Sequence, residues 1–148
     1  MAYRIIPDYN GQLALWVSEG IKKGDFAWLK ERLCSFAFAE DNKLLGGLVF
    51  HNYEPNHSVW WTVYSVDKRW CNRRMLRLMF GLAFEHFKCE RINIIVDEDN
   101  IQSLNFVQKL GFKAEGRLRR FRDKNKDSIV LGMLKSECRW LKRGTQCV

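Results

Sequence analysis

The run of residues 92–96 (Ile-Asn-Ile-Ile-Val) limits the fold of this chain more than any other feature of its sequence. A short, almost wholly apolar run is typical of a β-strand that is buried on both faces, and sheets with such strands are covered by helices. Residues 73–88 before it carry apolar side chains at helical spacing. Residues 100–110 after it form a second helical stretch, with Asn100 and Gly111 suited to cap its ends. A buried strand between two helices predicts an α/β domain.

Turn signals and apolar spacing divide the rest of the chain into further elements. The predicted strands lie at residues 3–6, 34–39, 44–53, 58–66, 92–96, from 112 to the polar turn at 123–127, and at 128–134. The predicted helices lie at residues 13–21, 24–33, 73–88 and 100–110. The order β-α-α-β-β-β-α-β-α-β-β describes one α/β domain with a mixed sheet, and no linker or repeat divides the chain.

Composition excludes several classes of protein. Hydrophobic residues make up 47% and charged residues 28% of the 148 residues, which argues against a disordered chain. No stretch approaches the roughly 20 apolar residues of a membrane span, and the first residues lack the apolar run of a secretory signal. The five cysteines include no C-x-x-C pair, and the three histidines have no metal-ligand spacing. We therefore expect a cytoplasmic domain with no disulfide framework, no metal and no membrane partner.

Residues 100–116, N-I-Q-S-L-N-F-V-Q-K-L-G-F-K-A-E-G, closely resemble a motif of the GNAT acetyltransferase superfamily. They are most similar to the branch that acetylates the N-termini of ribosomal proteins, where N-x-x-S precedes Leu-Gly-Phe and Glu-Gly. The resemblance implies the GNAT fold over residues 1–148. That fold has a mixed, mostly antiparallel sheet of six to seven strands with a central splay, flanked by about four helices. The implied activity is transfer of an acetyl group from acetyl-CoA to an amine of a protein or peptide, by direct attack.

The same resemblance places acetyl-CoA between the splayed strands. Backbone groups of residues 64–66 would hold and polarise the thioester, and Asn100 and Ser103 would line the crevice for the pantetheine arm. Ser103 would also protonate the departing thiolate. Asn100 is equally explained as a plain helix cap, and Ser103 as a small packing residue. The coenzyme-binding residues implied by the resemblance are Tyr64, Ser65, Val66, Arg69, Asn72, Arg73, Arg74, Asn100 and Ser103.

The family's pyrophosphate loop contains glycines, whereas residues 69–74 of this chain (Arg-Trp-Cys-Asn-Arg-Arg) contain none. Arginine side chains could replace the close approach of backbone N–H groups to phosphate. Alternatively, the coenzyme is held weakly or not at all. The dense cluster of cations over residues 68–77 favours an anion site, although a solvated helix face would look the same.

No carboxylate occurs on the strand where many relatives carry a catalytic base. The unperturbed pKa of a histidine is near 6.5, which suits a base, and Glu54 is expected beside the substrate mouth, so His51 and Glu54 are both candidate bases. Asp67 and Asp123 are further candidates, and a chain of water molecules could also serve. No motif anchors any of these residues, and a surface charge or a strand-end histidine explains each equally well.

The 25 basic and 17 acidic residues give a net charge of +8 and leave a second function open. Residues 117–126 contain six Lys or Arg side chains with Phe121 among them. Such a hairpin could bind nucleic acid or nucleoprotein, with or without acetyl transfer. It could also be a solvated sheet edge that its charges protect against aggregation. The sequence leaves both a monomer and a homodimer open.

Overall fold

A computed structural model describes residues 3–21 and 31–141 of the chain. Seven strands form one mixed sheet in the order β1-β2-β3-β4-β5-β7-β6. The strands are β1 (Tyr3–Pro7), β2 (Arg32–Glu40), β3 (Lys43–Glu54), β4 (Ser58–Ser65), β5 (Arg91–Asp97), β6 (Lys113–Asp123) and β7 (Lys126–Leu134). The α-helices are α1 (Gln12–Gly20), α2 (Arg73–Gly81) and α3 (Ile101–Leu110), and α2 continues into a π-helical turn, Leu82–His86. The predicted α/β fold is confirmed.

The described residues hold three α-helices where about four were predicted. The missing helix was placed over residues 24–33, and most of that stretch lies outside the described residues. Its last two positions, Arg32 and Leu33, belong to β2 instead, because β2 extends to pair with β3 as far as His51.

Helix caps form where the sequence predicts them. Asn72 caps the start of α2, because its Oδ1 atom accepts a hydrogen bond from the backbone N–H of Met75 at 3.0 Å. The Oδ1 atom of Asn100 accepts from the N–H of Ser103 at 3.2 Å and begins α3. Gly111 ends α3 with φ at 120°, a conformation that side chains with a Cβ rarely adopt.

The sheet divides between β4 and β5. These two strands are parallel neighbours, but their pairing is limited to residues 58–60 of β4 and residues 91–93 of β5. β4 continues to Ser65 and β5 to Asp97 without pairing to each other. We call the space beyond Trp60 and Asn93 the gap. It corresponds to the predicted central splay.

Helices cover the two faces of the sheet differently, and alternation along β4 shows which side chain faces which helix. Trp61 is buried and its ring centroid lies 4.9 Å from that of Phe80 on α2. Tyr64 points the other way, with its ring 5.1 Å from that of Trp16 on α1. α3 shares the core of α2, through Val107. We therefore speak of the α2/α3 face and the α1 face.

The apolar side of α2 differs in detail from the prediction. The apolar spacing of this helix predicts a buried Leu78, but Leu78 is 36% exposed, whereas Phe80, two residues further on, is fully buried. No helix in the described parts of the chain is long and apolar enough to cross a membrane. Residues 3–21 and 31–141 also contain no group of three or more side chains placed to hold a metal ion.

Candidate active site

The backbone groups of β4 point alternately toward β3 and toward the gap. In an antiparallel pair, residues that exchange hydrogen bonds alternate with residues whose N–H and C=O groups point to the other side. The N–H of Val66 donates to the carbonyl oxygen of Leu45 at 2.8 Å, so Val66 and, by the same alternation, Tyr64 face β3. Val63 and Ser65 therefore direct their N–H and C=O groups into the gap, where β5 pairs with neither of them.

This alternation corrects two of the residues expected to hold the thioester. The amides of Tyr64 and Val66 are turned toward β3, so of the three expected amides only that of Ser65 is available in the gap. The backbone groups of Val63 face the gap where those of Tyr64 were expected, and the apolar side chain of Val63 gives no sign of this in the sequence. The signal lies in strand register, because a shift of one residue reverses every backbone group along a strand.

The loop between β4 and α2 is anchored by a buried tryptophan. The ring of Trp70 is 2% exposed and stacks on Phe38 with their centroids 5.1 Å apart. Its indole N–H donates to the Oγ atom of Ser65 at 2.8 Å. Asp67 caps the short 3-10 turn that carries Trp70, by accepting from the N–H of Arg69 at 3.0 Å. This loop is thus fixed by one large buried side chain, whereas the family signature has glycines in the same loop.

Arg69 is engaged within the protein instead of pointing to a ligand. Its Nη2 atom lies 2.8 Å from Oδ2 of Asp67, and its Nη1 atom lies 2.8 Å from Oε1 of Glu40 on β2. The hydrogen bonds from Arg69 lower the pKa of Asp67 to about 2. With both ends of its guanidinium paired, Arg69 does not fit the predicted role of a phosphate ligand. It ties the loop to β2.

Other cations surround the N-terminus of α2. Arg73, Arg74 and Arg77 are exposed on this helix, and Lys68 is exposed in the preceding loop. None of these four side chains forms an ion pair with any residue that the structure describes. The first N–H groups of a helix carry partial positive charge and add to such a cluster. This end of α2 can therefore bind an anion.

α3 begins on the other side of the gap, after β5. Asn100 is exposed and uses its Oδ1 atom as the helix cap. Ser103 is half-buried one turn into the helix, and its hydroxyl has no hydrogen-bond partner within residues 3–21 and 31–141. Both residues lie on the β5 side of the gap, and the α2 cations lie on the β4 side. The predicted positions of Asn100, Arg73 and Arg74 at helix starts are confirmed, Asn72 is found as the cap of α2, and the ligand contacts of all four remain predictions.

Comparison with known proteins agrees with this geometry. A model of the acetyltransferase (GNAT) domain matches residues 26–129, which is well over half of the chain. The chain belongs to the GNAT acetyltransferase family. The spermine/spermidine N(1)-acetyltransferase of Bacillus subtilis (strain 168) is 30% identical over 67 residues, which cover 43% of this chain and 44% of that relative. This GNAT chain therefore matches less than half the length of its curated relative.

Solved structures share the fold of this GNAT protein. A variant of the spermidine N-acetyltransferase from Vibrio cholerae has a TM-score of 0.73 at 13% identity, over 96% of this chain and 98% of that one. A GNAT-family acetyltransferase from Bacillus anthracis has a TM-score of 0.57 at 20% identity, over 70% and 67% of the two chains. The expected ribosomal-protein branch is not shown by these relatives, because those with a stated substrate are polyamine acetyltransferases.

GNAT acetyltransferases use acetyl-CoA as their co-substrate, and the residues around the gap fit that molecule. The pantetheine arm contains amide groups, which can pair with the free backbone groups of Val63 and Ser65 as an extra strand would. The phosphates of the coenzyme require positive charge, and Arg73 and Arg74 concentrate it at the N-terminus of α2. Whether these cations replace the missing glycines stays a prediction.

The two candidate bases lie in different places. Glu54 ends β3 and pairs with Ser58 at the start of β4, so it is exposed at the closed end of the β4–β5 contact. Because β4 rises roughly 3.3 Å per residue, the start of the gap at Trp60 lies about 7 Å further along β4 from Ser58. The role of Glu54 at the substrate mouth stays a prediction. His51 instead lies opposite Trp60, where the gap begins.

Half of the cations in the basic segment at residues 117–126, on the β6–β7 hairpin, are paired with acidic residues. Arg117 lies 2.9 Å from Glu98, Arg122 lies 3.6 Å from Asp97, and Lys126 lies 3.1 Å from Asp99. Asp127 adds a second partner for Arg117 at 3.2 Å. Half of the six predicted nucleic-acid contacts are thus engaged in ion pairs. The charge argument for nucleic-acid binding is correspondingly weaker, and that function stays a prediction.

Proposed function

We propose that this chain transfers an acetyl group from acetyl-CoA to a primary amine. The observation that carries the proposal is the gap, where two unpaired β4 amide groups lie beside a cationic helix N-terminus. The first feature suits a thioester with an amide-containing arm, and the second suits a phosphorylated carrier. Family membership supplies the reaction class, and the gap supplies a place where the reaction can occur.

The amine attacks the thioester carbon directly. The N–H groups of Val63 and Ser65 are the donors available to polarise the thioester carbonyl as negative charge develops on its oxygen. Ser103 is the proposed donor of a proton to the sulfur. A cysteine acyl-enzyme is disfavoured, because burial raises the pKa of the Cys71 thiol to about 11. A thiol with such a pKa is protonated at pH 7 and is a poor nucleophile.

The charge around the gap favours an acceptor with a single amine, such as a protein or peptide N-terminus. A polyamine site requires free carboxylates to balance several positive charges. The three carboxylates at the end of β5 and just after it, Asp97, Glu98 and Asp99, are already paired with cations of the β6–β7 hairpin. A polyamine is the second candidate acceptor, because the spermine/spermidine N(1)-acetyltransferase of Bacillus subtilis is among the relatives of this chain.

Calorimetric titration with acetyl-CoA, followed by an acceptor panel, tests the proposal. The panel contains a peptide with a free α-amine, the same peptide with that amine blocked, and spermidine. We expect saturable coenzyme binding and addition of one acetyl group to the free peptide only, detected by mass spectrometry. If only spermidine is acetylated, the acceptor is a polyamine and the proposed peptide acceptor is wrong. Absence of binding at millimolar acetyl-CoA would overturn the function.

A further inference from the structure

A histidine and a threonine form a hydrogen bond at the point where the gap opens. Nε2 of His51 on β3 lies 2.8 Å from Oγ1 of Thr62 on β4. Thr62 is the first residue after the last β4–β5 pair whose side chain lies on the α1 face. It precedes Val63, whose backbone groups point into the gap. The side chain of Thr62 therefore lies one residue before the backbone groups that are proposed to hold the thioester.

A β-bulge fixes the orientation of the imidazole. Between His51 and Glu54 the register of β3 shifts by one residue against β4, and Asn52 within this bulge has φ at 51°. Its Oδ1 atom lies 2.7 Å from Nδ1 of His51. An amide oxygen only accepts hydrogen bonds, so Nδ1 carries the proton of the neutral ring. Nε2 then holds the lone pair and accepts the proton of the Thr62 hydroxyl.

The surroundings of His51 keep the ring neutral near pH 7. Burial lowers the pKa of His51 below its usual 6.5, although the hydrogen bond with Asn52 and the negative charge of Glu31 act in the opposite direction. From β2, Arg32 pairs with His51 in the strand register and directs its guanidinium to Ser35. From β4, the neutral side chains of Trp60 and Thr62 face the same side of the sheet.

The two faces of the sheet give the two substrates separate approaches. α2 and α3, which carry the proposed coenzyme contacts, lie on one face. Thr62 and His51 lie on the opposite face, together with Tyr64 and Trp16. An amine that approaches from the α1 face thus meets the hydroxyl of Thr62 as it reaches the thioester carbon.

We propose that Thr62 takes the first proton of the acceptor ammonium group and passes its own hydroxyl proton to Nε2 of His51. This inference rests on the proposed function and adds a base to it. Thr62 contacts the substrate, and His51 acts through Thr62. The arrangement resembles a hydroxyl activated by a neighbouring imidazole, except that the oxygen serves as a proton carrier and forms no bond to carbon.

The protons balance over the reaction. The ammonium group loses one proton through Thr62 to His51, and the resulting neutral amine forms the new C–N bond. The C–S bond breaks, and the second proton of the nitrogen goes to the sulfur through Ser103. The products are an N-acetyl amine, coenzyme A as its thiol, and an imidazolium that releases its proton to solvent.

A pair of variants separates the hydroxyl from the shape of the side chain. Thr62→Val removes the hydroxyl and keeps the branched shape, so we expect kcat/KM to fall about 100-fold with unchanged acetyl-CoA affinity. Thr62→Ser restores most of that loss. The relay is overturned if Thr62→Val stays within about threefold of the wild type. If the wild type neither binds acetyl-CoA nor acetylates any amine, the proposed function itself has failed.

Asn52→Asp tests His51 without touching either member of the relay. Asp tolerates the left-handed backbone of position 52, still accepts from Nδ1–H, and adds a negative charge that raises the pKa of His51. The acidic limb of the kcat/KM profile should move up by about one pH unit in the wild-type background. It should not move when Thr62 is Val. An unmoved limb, or an NMR spectrum that shows the proton on Nε2 of wild-type His51, would overturn the relay.

Discussion

Trp70 and Ser65 join the coenzyme loop to the strand that faces the gap, through a hydrogen bond of 2.8 Å from the indole N–H to Oγ. Ser65 has its backbone groups turned into the gap, so this side-chain bond links loop position to backbone position. Gly46 lies directly against the indole, since a Cβ there would come within 3.0 Å of the ring. The loop is therefore held by packing and by one specific donor.

Trp70→Phe should weaken acetyl-CoA binding because the ring stays buried while Ser65 loses its donor. We expect a stability loss of about 1 kcal/mol and a coenzyme Kd raised about tenfold in calorimetry. Trp140→Phe is the matched control, since its indole N–H donates to the carbonyl of Leu110 at 2.8 Å, away from the gap. It should lose similar stability and keep its coenzyme affinity. Equal affinity losses in both variants would contradict the role given to Trp70.

Arg73→Ala combined with Arg74→Ala should reduce acetyl-CoA affinity by about tenfold per arginine, because charge-assisted bonds to phosphate are lost. The dependence of the remaining affinity on salt should also decrease. Arg119→Ala combined with Lys124→Ala removes the same net charge from the β6–β7 hairpin and serves as the control. Calorimetry at two salt concentrations gives both quantities. A comparable loss in the control pair would mean that net charge, and not the α2 site, attracts the coenzyme.

Gly47→Ala should destabilise the fold by about 1–3 kcal/mol, because the contact between α1 and the sheet is already filled. A Cβ at Gly47 would come 2.6 Å from Cγ2 of Val17, which is fully buried. Gly116→Ala provides the comparison, since no atom lies within 4 Å of the Cβ position there. Thermal melting should show a Tm lower by about 3–10 °C for Gly47→Ala and little change for Gly116→Ala. Similar melting of both variants would be inconsistent with this packing.

Asp8 should make stability depend on pH in the acid range. Burial opposes ionisation of Asp8, but hydrogen bonds from Ser35, Ala14 and Gly11 outweigh it and lower the pKa of the carboxyl. Because the folded pKa is lower than the unfolded value, the contribution is present above about pH 4 and is lost as the pH falls through the folded pKa. Urea unfolding between about pH 5 and about pH 2 should show a steeper loss of the free energy of unfolding for the wild type than for Asp8→Asn. If the free energy of unfolding falls in parallel for both proteins, Asp8 is not the cause of the acid dependence.

The sequence predicts the elements of this fold well because their signals are local. The apolar run of β5 and the caps Asn100 and Gly111 each depend on a few neighbouring residues. The family motif lies in the same stretch, where α3 follows β5. Strand and helix order could therefore be assigned along the chain without knowledge of the contacts between distant parts.

The functional details depend on contacts between distant residues, and here the sequence was less informative. Arg69 was predicted to bind phosphate, but it pairs with Glu40, and a partner 29 positions away leaves no local signal in the sequence. The position of Glu54 opposite Ser58, before the gap opens, follows from the direction of the β3–β4 hairpin. The direction of the Val63 backbone groups depends on strand register alone. The His51–Thr62 bond spans 11 positions and has no motif.

A sheet that opens on both faces has a kinetic consequence. In the proposed arrangement the donor on the α2/α3 face and the acceptor on the α1 face do not share a path, so neither substrate has to leave before the other arrives. Initial rates measured against one substrate at several fixed concentrations of the other should give intersecting, not parallel, double-reciprocal lines. From the brief contact between β4 and β5 we therefore expect a reaction through one ternary complex, in which both substrates are present when the acetyl group moves.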